Sequence, residues 1–154
     1  LQGLRKGQFL EAAIIHNQQV SGINIKELQK AFANNKIATT DIEIDGGKHI
    51  HLYSPQTRLF FILPPVFEEW LKRIRGRGGM TEAEVRRRLE SAPKEITTAL
   101  QSDYYEFIVS GNLLANAETI HAIASGKLDH APNQDEARSH AEQLVIDVQL
   151  YLNA

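Results

Sequence analysis

Residues 58–89 read RLFFILPPVFEEWLKRIRGRGGMTEAEVRRRL, and the reading of this stretch decides the fold. Leu59-Phe60-Phe61-Ile62-Leu63 is an unbroken apolar run of strand length, the pattern of a strand buried on both faces. Pro64-Pro65 stops it. Pro65 also suits the first turn of a helix, where a missing N–H is not needed. Val66, Phe67, Trp70, Leu71 and Ile74 then recur at helical spacing. Gly78-Gly79 interrupts that helix, and Thr81 with Glu84 three positions on predicts a reciprocally capped second helix.

The two helices carry the chain's most uneven charge. Between Lys72 and Arg88 there are seven basic residues (Lys72, Arg73, Arg75, Arg77, Arg86, Arg87 and Arg88) against Glu82 and Glu84, in a protein of net charge −2. Arginines on both sides of a glycine hinge form a mobile clamp suited to the charge on a phosphoryl group in transfer. The bland alternative is a solvated helix face knit by Glu–Arg pairs.

Outward from this centre, 154 residues are enough for one domain with a real core, or one domain with a small lobe. Cysteine is absent, which excludes disulfides and thiolate metal sites. No apolar run reaches membrane-spanning length and no signal peptide is visible, so the default expectation is a cytoplasmic protein without a membrane partner. Residues 1–57 carry six basic and five acidic side chains, 58–94 nine and five, and 95–154 two and nine. A small basic island in a chain of net negative charge favours a small anionic ligand over nucleic acid. The chain opens Leu1-Gln2-Gly3-Leu4, with Phe9 and Leu10 soon after, and reads as entered in the middle of a longer protein.

Before the central stretch, residues 7–11 lead into Ala12-Ala13-Ile14-Ile15, and residues 19–23 follow a polar turn at 16–18, which predicts two short strands in a small hairpin lobe. Asn24 caps a helix from Ile25 to about Ala33, and Asn34-Asn35 ends it. Ile37–Ile44 is β-branched and apolar at many positions and predicts a strand closed by Asp45-Gly46-Gly47. After it, the second clamp helix continues to about Leu100, interrupted or kinked at Pro93. Tyr105–Val109 is a strand, Ser110-Gly111-Asn112 a turn, and Leu113 to about Ala124 a helix. Residues 125–134 are a linker, and 135–154 hold a last helix with Ala141, Leu144, Val145, Val148 and Leu152 on one stripe. Strands alternating with helices predict a layered α/β fold with a mostly parallel sheet.

LFFILPP, RIRGRG, RRRLESAPKEI and DYYEFIVSGNL, preceded by GQFLE and IEID in that order, resemble the C-terminal two thirds of guanylate kinases. The resemblance covers residues 4–124, and RIRGRG with its trailing Arg-Leu helix is its most specific part. It implies a P-loop-kinase-like fold over 1–124, with 1–35 in a substrate-binding hairpin lobe and 72–88 forming an arginine lid. It also implies transfer of the γ-phosphoryl of ATP to a nucleoside monophosphate, GMP above others, with Mg²⁺. Arg73 and Arg77 match the lid arginines, and Arg88 matches the arginine of the next helix that meets the phosphates. By the same resemblance, Arg75 and Arg87 are left to make surface pairs. Glu11 matches the glutamate that reads the guanine edge, where a carboxylate accepts two N–H bonds. Asp45 matches an acidic residue near substrate and Mg²⁺-bound water, and Ser21 partly replaces a lost hydroxyl of the hairpin.

Three departures accompany the match. The motif G-x-x-x-x-G-K-[ST], which cradles ATP phosphates, does not occur in these 154 residues. The hairpin tyrosines of the family correspond to Gln19, Val20, Ser21 and Ile23. The family's Val-Asn-Asp-Asp is Val109-Ser110-Gly111-Asn112 here. Two other functions therefore stand beside GMP phosphorylation: a non-catalytic interaction module, and a kinase of another phosphorylated substrate. His49 and His51 would alternate on an extended segment, but no third ligand has a matching spacing and no metal site of protein ligands is expected. The last helix is left with packing or homodimer formation as its role.

Overall fold

The computed structural model describes residues 8–15, 19–76 and 78–154, with only the backbone described for 11–15 and 19–21. Two compact units divide the chain, Leu1–Thr57 and Arg58–Ala154.

In the first unit, β1 (Phe9–Ile15) and β2 (Gln19–Asn24) form the expected antiparallel hairpin, with Ala12 opposite Gly22 and Ile14 opposite Val20. The register shifts between Phe9 and Glu11, where one strand carries an extra residue. Asn24 ends β2 and caps α1 (Ile25–Ala33), its side-chain oxygen accepting the Lys26 N–H at 2.9 Å. Asn34 closes the helix and Asn35 takes the left-handed conformation (φ 51°) that asparagine tolerates.

The next segment overturns an expectation. Residues 36–43 have no regular secondary structure, and α2 (Ile44–Tyr53) begins where the strand was to end. A β-branched run becomes a strand only when a neighbour completes its hydrogen-bond ladder, and none among the described residues pairs with it. Asp45-Gly46-Gly47 therefore lies in the first turn of a helix. Gly46, Gly47 and Ile50 are its buried positions, and the helix packs on β1. His49 and His51 consequently sit about 200° apart around a helix axis, not on one edge of an extended chain.

The second unit begins with β3 (Leu59–Leu63), followed by α3 (Phe67–Gly76), α4 (Glu82–Gln101), β4 (Tyr105–Val109), α5 (Leu113–Ala124) and α6 (Gln134–Asn153). β3 and β4 pair in parallel without a slip, from Leu59 opposite Tyr105 to Leu63 opposite Val109. Two parallel strands need a long crossover between them, and α3 with α4 supplies it. Thr81 and Glu84 form the expected reciprocal cap: Thr81 Oγ1 accepts the Glu84 N–H at 3.3 Å, and Glu84 Oε2 accepts the Thr81 N–H at 2.8 Å. Helix α4 is not interrupted at Pro93 and runs as one element from Glu82 to Gln101. The proline removes one bond, to the Leu89 carbonyl, while Leu89, Ala92, Ile96 and Ala99 on both sides are buried.

Helix α6 packs along α4 with Ala141, Leu144 and Val148 fully enclosed. At its start Gln134 does the work of a neighbouring strand. Its amide N–H donates to the Phe107 carbonyl and its oxygen accepts the Phe107 N–H, both at 2.9 Å, on the outer edge of β4. The linker is fixed as well, since Glu106 accepts the Ala131 N–H at 2.6 Å and pairs with Arg58, which also reaches the Asp129 carbonyl. No described helix is long and apolar enough to cross a membrane. The fold is thus mixed α/β, with one antiparallel and one parallel pair of strands among the described residues.

Candidate functional site

The C-terminal ends of parallel strands are where loops and helix starts converge in such folds. Here the Ser110 N–H donates to the Leu63 carbonyl at 2.7 Å, so the chain leaving β4 is tied to the end of β3. Asn112 then caps α5, its side-chain oxygen accepting the Ala115 N–H at 3.1 Å. Arg73, from the second half of α3, reaches this junction. Its Nη1 donates to Ser110 Oγ at 2.7 Å and its Nη2 to the Ser110 carbonyl at 3.3 Å. Its Nε donates to Glu69 Oε1 at 3.1 Å, one helical turn back.

The neighbouring arginines divide by role. Arg75 grips Glu82 with two parallel bonds of 3.0 Å, which joins the end of α3 to the start of α4, and its Nη2 also meets the Tyr151 hydroxyl at 3.2 Å. The bond from Arg75 and its charge hold the Glu82 carboxyl below its usual range, while the same bond and the charge of Glu82 raise Arg75. Arg87 pairs with Glu84 at 4.0 Å. Arg86 donates to the Leu152 carbonyl. The hydrogen bonds from the Thr81 N–H and hydroxyl depress Glu84, and the charges of Arg87 and Arg88 add to this.

The Arg88 side chain is exposed and has no hydrogen-bond or ion-pair partner among the described residues, while its backbone carbonyl accepts the Ser91 hydroxyl at 3.2 Å. Between the helices Gly78 and Gly79 have φ of 77° and 72°, a left-handed path that glycine takes without steric cost. Arg77 lies outside the described residues. Arg73 and Arg88 share no partner among those described.

The remaining three candidates belong to the first unit. Glu11 and Ser21 are placed by backbone alone, Glu11 opposite Ile23 and Ser21 opposite Ala13, two ladder positions apart. Asp45 is exposed in the first turn of α2, at the positive end of the helix dipole, instead of at a strand end. Among the described residues no three His, Cys, Asp or Glu side chains gather as a metal cluster. Asp45 nonetheless suits Mg²⁺, which is commonly held by one or two carboxylates together with substrate phosphates.

The surface pairs expected of Arg75 and Arg87 are present, with Glu82 and Glu84. Reading the sequence missed Ser110 as the partner of Arg73, 37 positions away, and Tyr151 as a partner of Arg75, 76 positions away. No local spacing marks either pair.

Comparison with known proteins places this geometry in context. The family model described as "Guanylate kinase" matches residues 2–125. A guanylate kinase of Leifsonia xyli subsp. xyli (strain CTCB07) is 34% identical over 98 residues, 64% of this chain and 39% of the relative. One of Clostridioides difficile (strain 630) is 33% identical over 124 residues, 80% of this chain and 59% of the relative. Guanylate kinase 1 of Oryza sativa subsp. japonica is 29% identical over 133 residues, 86% and 35% of the two chains. This chain therefore spans between 35% and 59% of the length of these relatives. Helix α6 lies beyond the residues that the family model matches.

Proposed function

Because this chain belongs to the guanylate kinase family, we propose that it serves transfer of a phosphoryl group from ATP to a nucleoside monophosphate, with GMP as the favoured acceptor. The observation that carries this reading is the family match running through both clamp helices, with Arg73 seated at the C-terminal ends of β3 and β4. Arg88, whose guanidinium has no partner among the described residues, meets the charge that develops on the transferring group, together with Arg77 and a released Arg73. The reaction needs little from the protein beyond position and charge, which is what arginines on two linked helices provide. Glu11 accepts hydrogen bonds from the guanine edge, and Ser21 contributes a hydroxyl to the same lobe. Asp45 orients the hydrated Mg²⁺, which when bound neutralises phosphate charge. A cytoplasmic location goes with such a role.

The test is an assay of the intact protein for ADP formation with ATP, Mg²⁺ and GMP, with AMP as control acceptor. Transfer to GMP is expected, with kcat lowered about 10²–10³-fold in Arg88→Ala, the order seen when one charge-stabilising donor is lost. Absence of transfer together with absence of GMP binding by calorimetry would sink the proposal. A second reading, a binding module or a kinase of another phosphate ester, is favoured by the apolar Val20 and Ile23 at the hairpin positions of β2. Binding of a different phosphate ester without GMP binding would select it.

A further inference from the structure

Arg73 raises a question of supply. A guanidinium has five N–H donors arranged as two forks, one formed by Nη1 with Nη2 and one by Nε with Nη2. Phosphate is recognised most strongly when both donors of a fork point at it. In this structure the first fork is spent on Ser110, with Nη1 on the hydroxyl oxygen at 2.7 Å and Nη2 on the carbonyl oxygen at 3.3 Å. The second fork has lost Nε to Glu69 at 3.1 Å. Neither fork is therefore free for two-point contact with a phosphoryl group, although Arg73 remains 44% exposed and within reach of solvent.

The junction that holds Arg73 is itself firmly placed. Ser110 follows β4 directly, and its own N–H is committed to Leu63 at 2.7 Å. The Ser110 backbone is thus held by the sheet, and the hydroxyl bond of 2.7 Å is at the short end for a guanidinium donor. Glu69 approaches from the same helix as Arg73 and adds a negative charge to the resting arrangement.

We propose that Ser110 is a storage site for Arg73, which keeps the guanidinium docked at the ends of β3 and β4 until a phosphate group displaces it. This rests on the reading of Arg73 as a phosphate-binding arginine and adds a competition to it. Ser110 is a positioning residue and touches no substrate. Because only the undocked fraction can bind with a full fork, the apparent affinity for a polyphosphate is reduced by that fraction, and removing the competitor raises it. Glu69 competes for Nε in the same way.

The experiment follows the Arg73 Nε–H resonance in ¹⁵N-labelled protein while inorganic triphosphate is added, alongside calorimetry with the same probe. Wild type and Ser110→Ala are compared, with Glu69→Gln as a second variant outside the turn. In wild type the resonance is expected to be protected from exchange and to shift on titration. Ser110→Ala is expected to lose protection and to bind triphosphate about two- to tenfold tighter, the gain when a docked fraction is released. Glu69→Gln should move affinity in the same direction. Equal or weaker binding by Ser110→Ala, with the resonance still shifting, overturns the storage role while leaving Arg73 as a phosphate ligand. Triphosphate that fails to move the Arg73 resonance in any of the proteins overturns both.

Discussion

At the scale of single residues, the two glutamates that begin α4 differ in what holds them, and acid separates them. Glu84 is stabilised as a carboxylate chiefly by the Thr81 N–H and hydroxyl, Glu82 chiefly by Arg75. Both have folded-state pKa values below the unfolded value. The stability each contributes is therefore complete above the ordinary glutamate range and is lost as pH falls through the lowered value. Carboxyl ¹³C titrations should show both midpoints below about 4.3, the unperturbed value. Arg75→Met should return Glu82 towards that value and leave Glu84 depressed, while Thr81→Ala, which removes the hydroxyl and keeps the N–H, should raise Glu84 part of the way and leave Glu82 depressed. If both carboxylates moved together in either variant, the assignment of separate causes would be wrong.

At the scale of elements, the last helix is bound to the clamp along its length. Leu144 and Val148 are fully enclosed against α4, and Tyr151 meets Phe67 edge-to-face with ring centroids 5.5 Å apart while its hydroxyl meets Arg75. Leu144→Ala should cost about 2–5 kcal/mol through lost burial and the cavity left behind. Tyr151→Phe, which keeps the ring and removes one exposed hydrogen bond, should cost less than about 1.5 kcal/mol. Urea denaturation measures both, and equal costs would mean that α6 is held by its end and not by its stripe. These elements also mark how far the sequence could be read. β3, the cap of α4, β4 and the stripe of α6 were legible because each is written in local pattern: an apolar run, a Thr-x-x-Glu, a period of 3.6. Residues 37–44 have a strand's composition, but being a strand depends on a neighbour that composition does not name. The site divided along the same line. Arg75 and Arg87 stood among acids close in sequence, whereas Ser110 is brought to Arg73 by the β3–β4 register, a fact of tertiary structure.

At the scale of the whole molecule, the described core lies mostly in one of the two units. Of the buried apolar side chains described, Ile50 alone belongs to the first unit, and the others, from Leu59 to Val148, belong to the second. Burial of apolar area is the main source of stability. A fragment starting at Arg58 is therefore expected to melt cooperatively, with loss of near-ultraviolet dichroism and helicity at one temperature. Divergent transitions for the two signals would show that its core is incomplete without the first 57 residues. Within that second unit, Gln134 occupies the outer edge of β4 by giving Phe107 both of the bonds a neighbouring strand would give. An uncovered strand edge is a template on which other chains assemble. Gln134→Ala is therefore expected to bare that edge and to be felt as turbidity in a concentrated solution sooner than as a fall in melting temperature, and a clear solution at the same concentration would refute this.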